Sequence, residues 1–259
     1  MAKHHRIWNQ STYEKYVREG RGCGNGADYS PWIRIQDFAS RGMASRVKGR
    51  TTGRVHHLMS NNELAYFYIL DWSDSVTDIR EQYPLSDLSC AVSIAAQAGI
   101  KYPTDRASGY PYVMTCDFMI TTITGVKART IKMAAELENA RVLEKLEIER
   151  RYWAAQGIDW KIVTEREIPY QKAKNIEWLY DAQNFRGELY GFREAQDMLL
   201  QLLLYGKYSI ADAAHMVENE FLFPAGTGLH LFKQLVLARE FIIIDINKPL
   251  NLHAKGVAA

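Results

Sequence analysis

The stretch VMTCDFMITTITGVKARTIKMAAEL, residues 113–137, has an aspartate in one apolar, strand-like run and a lysine in a second. A turn near Thr124 and Gly125 separates the two runs, so the pattern predicts a β-hairpin. Burying either charge without a partner is costly. We therefore expect Asp117 and Lys132 either to form a simple ion pair or to be the two ends of a metal-dependent active site.

The alternation of side chains along a strand predicts what lies beside Asp117. If Asp117 faces a cleft, Phe118 faces the core. In the next strand Thr130 and Lys132 share one face, and Ile131 takes the other. An acid followed after a hairpin by x-Ile-Lys is the pattern of PD-(D/E)xK nucleases, whose chemistry needs oxygen ligands for Mg²⁺ and a cation near the attacking water. On neighbouring strands such a pair is more often structural, so this pattern alone decides little.

Two further carboxylates favour the nuclease interpretation. Glu63 opens a densely apolar helix, although Ser60 and Glu63 also have the spacing of a capping box, which needs no catalysis. Glu149 interrupts an otherwise apolar stripe at helical spacing. A carboxylate on a buried face needs a cationic partner, which could be an arginine, a metal or Lys132.

The composition is that of a globular protein. The chain has 259 residues, of which 47% are hydrophobic and 24% are charged. It has no apolar run of membrane-spanning length, and the N-terminal MAKHHRIWNQ lacks the apolar region of a secretory signal. Three scattered cysteines with no CxxC pair indicate a reducing compartment and no structural zinc. We expect a cytoplasmic protein with no membrane partner.

A basic segment lies at residues 41–57, RGMASRVKGRTTGRVHH, although the net charge of the whole chain is only +2. The segment contains five Arg or Lys residues, two histidines and no acid. It is typical of a mobile arm that binds nucleic-acid phosphates, with Arg46, Lys48, Arg50 and Arg54 as the candidate contacts. A solvated basic loop remains the alternative.

The pattern along residues 1–168 predicts a mixed α/β domain with an N-terminal helical and basic segment. The expected elements are a helix over residues 11–20 capped by Ser11, a strand over 32–38, a helix from Ser60, a strand over 76–85, the hairpin, a helix over 134–156 and a strand over 160–165. The helix over 134–156 is expected to end at Gly157.

Residues 169–259 are expected to form a second, smaller domain. After a helix over 172–182, three more helices and a strand over 241–250 follow the plan of a winged-helix module. Ser209 and Asp212 are placed like a capping box at the start of one helix. The last of the three helices carries few basic residues, so the module is expected to dock a protein as readily as it contacts DNA.

Beyond these patterns, the chain resembles the TnsA family, the endonuclease subunits of heteromeric bacterial transposases. The resembling segments are long and specific over the N-terminal domain, whereas the C-terminal part resembles the family only in architecture. The segments are REGRGCGNGADYSPW (18–32), TTGRVHHLMSNNELAYF (51–67), VTDIREQYPL (76–85), TCDF (115–118), TIK (130–132), LEKLEIERRYW (143–153) and NIEWLY (175–180).

This resemblance implies a restriction-endonuclease-like PD-(D/E)xK domain followed by a winged-helix-like α domain. The family's metal-binding acids fall on Glu63 and Asp117, its catalytic lysine on Lys132, and a further acidic position on Glu149. Thr130 departs from the wider pattern, which has Glu, Asp or Gln two residues before the lysine. The metal shell would then be completed by Thr130 itself, the carbonyl of Ile131, water or Glu149. The implied cofactor is Mg²⁺, as two ions, with Mn²⁺ as a substitute.

The resemblance also implies a function and partners. The protein would cut the 5′ ends of a transposon, beside a DDE-type transposase (TnsB) that cuts and joins the 3′ ends and an AAA+ regulator (TnsC). Its nucleic-acid partner would be transposon-end DNA. Two alternatives remain open on the residues alone: a stand-alone restriction or repair nuclease, and a non-catalytic DNA-binding scaffold in which Asp117 and Lys132 only pair.

Overall fold

The computed structural model describes residues 7–37, 43–184, 191–243 and 245–256. Together they form a mixed α/β protein that divides into two compact units, residues 1–168 and 169–259. Across those described ranges, none of the helices combines the length and the apolar character needed to cross a bilayer.

Strands of the first unit form two sheets. They are β1 (Ser45–Lys48), β2 (Val55–Leu58), β3 (Val76–Pro84), β4 (Thr115–Thr122), β5 (Gly125–Ile131) and β6 (Asp159–Val163). β1 and β2 pair antiparallel in a two-stranded sheet. The larger sheet has the order β3-β4-β5-β6, in which β6 runs parallel to β5 and the other neighbours are antiparallel.

The predicted hairpin is confirmed, and its turn has a clear physical cause. Gly125 has a φ of 136°, which an L side chain rarely adopts. The hydroxyl of Thr122 donates to the carbonyl of Gly125 at 2.9 Å and so closes the turn. Phe118 lies opposite Arg129 across the two strands, which fixes the register that places Asp117 near the end of β5.

Helices cover the large sheet and supply its core. Those of the first unit are α1 (Gln10–Arg18), α2 (Asn61–Trp72), α3 (Leu88–Gln97) and α4 (Ala140–Ala155). Side chains of α3 and α4, including Ile148 and Trp153, pack with Met119 of β4 in one buried apolar cluster. Tyr66 of α2 contacts Phe118 of β4, with ring centroids 5.8 Å apart. This burial of apolar surface holds the strand ends, and the side chains they carry, in fixed positions.

Two predicted elements near the N-terminus are wrong in detail. Asn9, not Ser11, caps the first helix, because its side chain accepts the backbone N–H of Thr12 at 2.9 Å. The predicted strand at 32–38 contains instead a short 3₁₀ turn, Ile35–Asp37, and Phe38 lies outside the described residues.

The long helix predicted over residues 134–156 is divided into two. A 3₁₀ turn, Ala134–Glu138, precedes Asn139, and α4 begins only after that residue. The side chain of Asn139 accepts the N–H of Arg141 at 2.8 Å, so a polar cap interrupts what the sequence pattern presents as one helix.

The basic segment is a hairpin rather than a loose arm over its described part, β1 and β2; Arg41 lies outside the described residues. Backbone N–H groups of Arg50 and Thr51 donate to the buried carboxylate of Asp71 at 2.7 and 2.9 Å. These bonds attach the tip of the hairpin to α2, because Asp71 lies in the last turn of that helix.

The second unit is helical in its described residues. Its helices are α5 (Tyr170–Tyr180), α6 (Phe192–Leu204), α7 (Ile210–Phe221) and α8 (Thr227–Leu237). The predicted capping box is confirmed, because Ser209 and Asp212 exchange hydrogen bonds at the start of α7. The strand predicted over 241–250 is wrong over residues 245–248, where Asp245 accepts the N–H of Asn247 in a turn. Residue 244 lies outside the described part.

Candidate active site

Asp117 lies on β4 with its carboxylate turned towards the end of β5. Its Oδ2 atom accepts the backbone N–H of Ile131 at 2.6 Å, and the side chain is only 13% exposed. Burial raises the pKa of Asp117, and the nearby charge of Lys132 opposes that rise. The fold therefore holds a carboxylate in a place where it is costly to charge without a cation.

Glu63 reaches the same place from the first turn of α2. The hydroxyl of Ser60 accepts the N–H of Glu63 at 3.1 Å and donates to its Oε1 at 3.0 Å. Its Oε2 accepts the N–H of Met59 at 2.9 Å. The helix cap predicted at Ser60 is confirmed, and it also orients the carboxylate. Burial raises the pKa of Glu63 to about 7, and the charge of Asp117 adds to the effect.

Gln82 joins these two carboxylates, and the sequence reasoning missed it. Its Nε2 lies 3.3 Å from Oε2 of Glu63 and 3.3 Å from Oδ1 of Asp117. One oxygen of each acid is thus within hydrogen-bonding distance of a single nitrogen. The available signal was the pair Glu81-Gln82: consecutive side chains of a strand point to opposite faces, so in a sheet packed on one face at least one of these polar side chains is buried.

Lys132 follows directly after β5 and lies beside Asp117. Its Nζ is 3.8 Å from Oδ2 of Asp117 and donates to the carbonyl of Ile131 at 2.8 Å. Burial disfavours the charged amine, but Asp117 and Glu149 outweigh burial and hold the pKa of Lys132 above its ordinary value. The side chain remains 29% exposed, so the ammonium is charged and within reach of solvent.

Glu149 on α4 and Thr130 on β5 are buried and form a hydrogen bond with each other. The Thr130 hydroxyl donates to Oε1 of Glu149, and the indole N–H of Trp160 donates to the same oxygen at 2.9 Å. Burial raises the pKa of Glu149 to about 7. Thr130 was expected as a metal ligand, but its hydroxyl is committed to Glu149. The direct hydrogen-bond donors to Glu149 are thus two neutral groups, and the charge of Lys132, one of the expected cationic partners, opposes the rise in its pKa.

The donors around Asp117 fit a hard cation. Carboxylates of Glu63 and Asp117 and the carbonyl oxygen of Ile131 are the ligand types that Mg²⁺ prefers. Within the described part of the chain, no cluster of three or more Asp, Glu, His or Cys side chains could hold a metal. The protein ligands available here are therefore two carboxylates and a carbonyl, which suits an ion that keeps several waters.

Arg54 of the basic segment is not available for phosphate contact. Its Nη1 lies 2.8 Å from Oε1 of the fully buried Glu81, and its Nη2 donates to the carbonyl of Ile79 at 2.8 Å. The ring of His56 contacts the other oxygen of Glu81 at 2.8 Å. Burial opposes ionisation of Glu81, but Arg54 and His56 prevail and lower its pKa to about 2. Arg54 is therefore a structural counter-ion.

The other basic side chains of the hairpin are exposed. Arg46 and Lys48 lie on β1, where Arg46 donates to the side chain of Gln36 at 3.2 Å. Arg50 lies 3.6 Å from the exposed carboxylate of Asp74. Weak surface pairs of this kind exchange readily for other partners. The candidate phosphate contacts are thus reduced from four to three.

Comparison with known proteins agrees with this arrangement. A family model described as the TnsA-like endonuclease N-terminal domain matches residues 73–165, and the TnsA endonuclease C-terminal model matches residues 167–246. The Transposon Tn7 transposition protein TnsA of Escherichia coli is 44% identical over 254 residues, which cover 97% of this chain and 92% of that protein. The chain belongs to the TnsA family.

Because it belongs to this family, the protein is an endonuclease subunit of a transposition system. The N-terminal match contains Gln82, Asp117, Lys132 and Glu149, whereas Glu63 and the basic hairpin precede it. The similarity to the Escherichia coli TnsA protein extends over nearly the whole chain, both units included.

Proposed function

We propose that this TnsA-family protein is a Mg²⁺-dependent endonuclease that cuts the 5′ ends of a transposon. The observation that carries the proposal is the placement of Glu63 and Asp117 around one nitrogen, with the ammonium of Lys132 3.8 Å from Asp117. Two buried acids with raised pKa values indicate a site that is completed by a cation.

In this proposal the residues of the chain bind the metal and orient the attacking water and the scissile phosphate. Glu63, Asp117 and the Ile131 carbonyl hold the metal, two ions in the family scheme, with Mn²⁺ as a substitute for Mg²⁺. When bound, the metal supplies Lewis-acid stabilisation of the phosphodiester undergoing hydrolysis. Lys132 directs its ammonium to the attacking water and the scissile phosphate. Glu149 orients the end of β5 through Thr130, from outside the metal shell.

A restriction-endonuclease-like PD-(D/E)xK fold is supported by the hairpin that carries Asp117 on β4 and Lys132 directly after β5. Thr130 occupies the position where the wider pattern has an acid or amide. For residues 169–259 we propose a winged-helix-like plan, on the support of three consecutive helices, α6 to α8. That unit would contact a partner protein, DNA or both.

The proposed partners follow from the family. A TnsB-like DDE transposase would cut and join the 3′ ends of transposon-end DNA, and a TnsC-like AAA+ ATPase would regulate the reaction. The Escherichia coli relative is named as a transposition protein of Tn7, which supports a multi-protein assembly on DNA. Paired cutting of both strands would release the element for cut-and-paste movement in the bacterial cytoplasm.

The test is a cleavage reaction with the intact protein, a TnsB-like and a TnsC-like partner, and transposon-end DNA labelled at the 5′ strand. We expect 5′-strand cuts with Mg²⁺ or Mn²⁺ and none with EDTA. Cutting of unrelated DNA by this protein alone would favour a stand-alone restriction or repair nuclease. Absence of cutting and of metal binding would favour a non-catalytic scaffold.

The basic hairpin gives a separate prediction. Replacing Arg46, Lys48 and Arg50 together by alanine is expected to weaken DNA binding similarly for all sequences. It should also flatten the dependence of log K on log salt by about one unit per lost phosphate contact. Binding isotherms across a salt series measure this slope.

Arg54→Ala is the contrasting variant, because Arg54 neutralises buried Glu81. It is expected to cost stability, by roughly 3–5 kcal/mol for a broken buried pair. The salt slope of its folded fraction should not change. An unchanged slope in the triple variant would show that the hairpin is only a solvated surface.

A further inference from the structure

Gln82 has a backbone conformation that is unusual for its position. It lies inside β3 with a φ of 49°, in the left-handed region that non-glycine residues rarely adopt. Its neighbours pair regularly with β4, with Glu81 opposite Phe118 and Tyr83 opposite Cys116. Strain of this kind persists where the surrounding structure requires it, and it concentrates at functional sites.

The carbonyl of Gln82 accepts the N–H of Trp32 at 3.3 Å. The side chain is 4% exposed and ends between the carboxylates of Glu63 and Asp117. The hydroxyl of Thr115 donates to its Oε1 at 3.2 Å. Carboxylate oxygens accept hydrogen bonds, so this orientation places the NH₂ group towards the two acids and leaves Oε1 to accept from Thr115.

We propose that Gln82 is a positioning residue that holds Glu63 and Asp117 at the spacing needed to share a cation. The inference rests on the proposed metal-dependent function. Two carboxylates this close repel each other, and an amide that donates one proton to each opposes that repulsion without adding charge. Thr115 donates to the amide oxygen and so supports the orientation in which the NH₂ group faces the acids. Gln82 acts through both ligands, to which its buried side chain is bonded.

The competing explanation is that Gln82 only satisfies buried polar groups in an irregular strand. The two explanations differ in metal binding. A positioning role predicts weaker metal affinity when the amide is removed, because losing the hydrogen-bonded partner of a metal ligand commonly lowers metal affinity about 10- to 100-fold. A purely structural role predicts altered stability with unchanged affinity in the folded protein.

The experiment uses the full chain and measures Mn²⁺ affinity by calorimetry, together with the Mg²⁺ dependence of 5′ cleavage in the complete reaction. Gln82→Asn and Gln82→Gly are the main variants. Both residues tolerate the left-handed backbone, so the fold is retained. Asparagine is one methylene too short to reach both acids. Thr115→Val leaves the glutamine in place and removes the donor to its amide oxygen.

For Gln82→Asn and Gln82→Gly we expect Mn²⁺ affinity to fall about 10- to 100-fold and the Mg²⁺ needed for half-maximal cleavage to rise in parallel. Cleavage at saturating metal should return to within a few-fold of wild type. Thr115→Val should show a smaller shift in the same direction. Unchanged affinity in both Gln82 variants, while wild type binds and cuts, would overturn this inference alone. If wild type neither binds Mn²⁺ nor cuts, the proposed function itself fails.

Discussion

Asp117→Ala is expected to abolish 5′-end cutting and to weaken Mg²⁺ and Mn²⁺ binding strongly. Asp117 supplies one of the two carboxylates that Gln82 draws together, and no third acid in the described residues completes a cluster that could replace it. Burial already disfavours its charged form, so the metal-free fold should tolerate the loss. The main structural cost is the Ile131 N–H left without its acceptor, roughly 1–3 kcal/mol.

Asp117→Asn is the matched companion, since it keeps the shape and an acceptor for Ile131 but removes the charge. Both variants are measured by thermal unfolding without metal, Mn²⁺ titration and single-turnover cleavage. If the TnsB-like partner still cuts the 3′ ends, unexcised and branched strand-transfer products should accumulate. Full 5′ cleavage by either variant in the complete mixture would reject Asp117 as a site residue.

Lys132→Ala is expected to lower the cleavage rate by at least about 10²–10³-fold, because removing one preorganised hydrogen-bond donor to a developing charge commonly costs that factor. Breaking a fully buried ion pair costs roughly 3–5 kcal/mol. The Lys132–Asp117 pair should cost less, because its atoms are 3.8 Å apart and the lysine side chain is partly exposed. Asp117 also retains two N–H donors, from Ile131 and Gln82. The stability loss should therefore be small with Mg²⁺ present, while DNA and metal binding persist.

Lys132→Arg should rescue cleavage poorly, because a planar guanidinium does not replace a compact ammonium at one water. Lys127→Ala, on β5 ahead of Lys132, is the control for loss of a lysine charge and should cut normally. Thermal stability with Mg²⁺ and single-turnover 5′ cleavage are measured on all three proteins. A large stability loss with near-normal cutting by the folded fraction would make Lys132 a structural counter-ion of Asp117.

Local patterns predicted much of the fold around the site. The hairpin follows from alternation and from a turn that needs Gly125, and the start of α2 follows from the cap at Ser60. Both depend on residues close together in the chain, so sequence contains the necessary information. The wrong boundary at 134–156 shows the limit: hydrophobic spacing continues through Asn139, and only its side-chain cap marks the true start.

Contacts between distant segments could not be predicted. Arg54 appeared to belong to a basic segment without acids, but its partner Glu81 lies 27 residues away on another strand. Gln82 was missed for the same reason, since its role depends on Glu63 and Asp117 reaching it from α2 and β4. The hydroxyl of Thr130 donates to Glu149, which lies on a helix 19 residues further along the chain, and the sequence pattern did not reveal this contact.

The most direct test of the central claim is an anomalous-scattering map from crystals of this protein soaked in Mn²⁺. We expect a single or double peak between the carboxylates of Glu63 and Asp117, within about 2 Å of an Asp117 oxygen as for an ion of this class. Lys132 should be displaced from the Ile131 carbonyl, which the cation would take. If crystals soaked at saturating Mn²⁺ show no peak between Glu63 and Asp117, and Lys132 still donates to the Ile131 carbonyl, the metal-dependent nuclease site is contradicted.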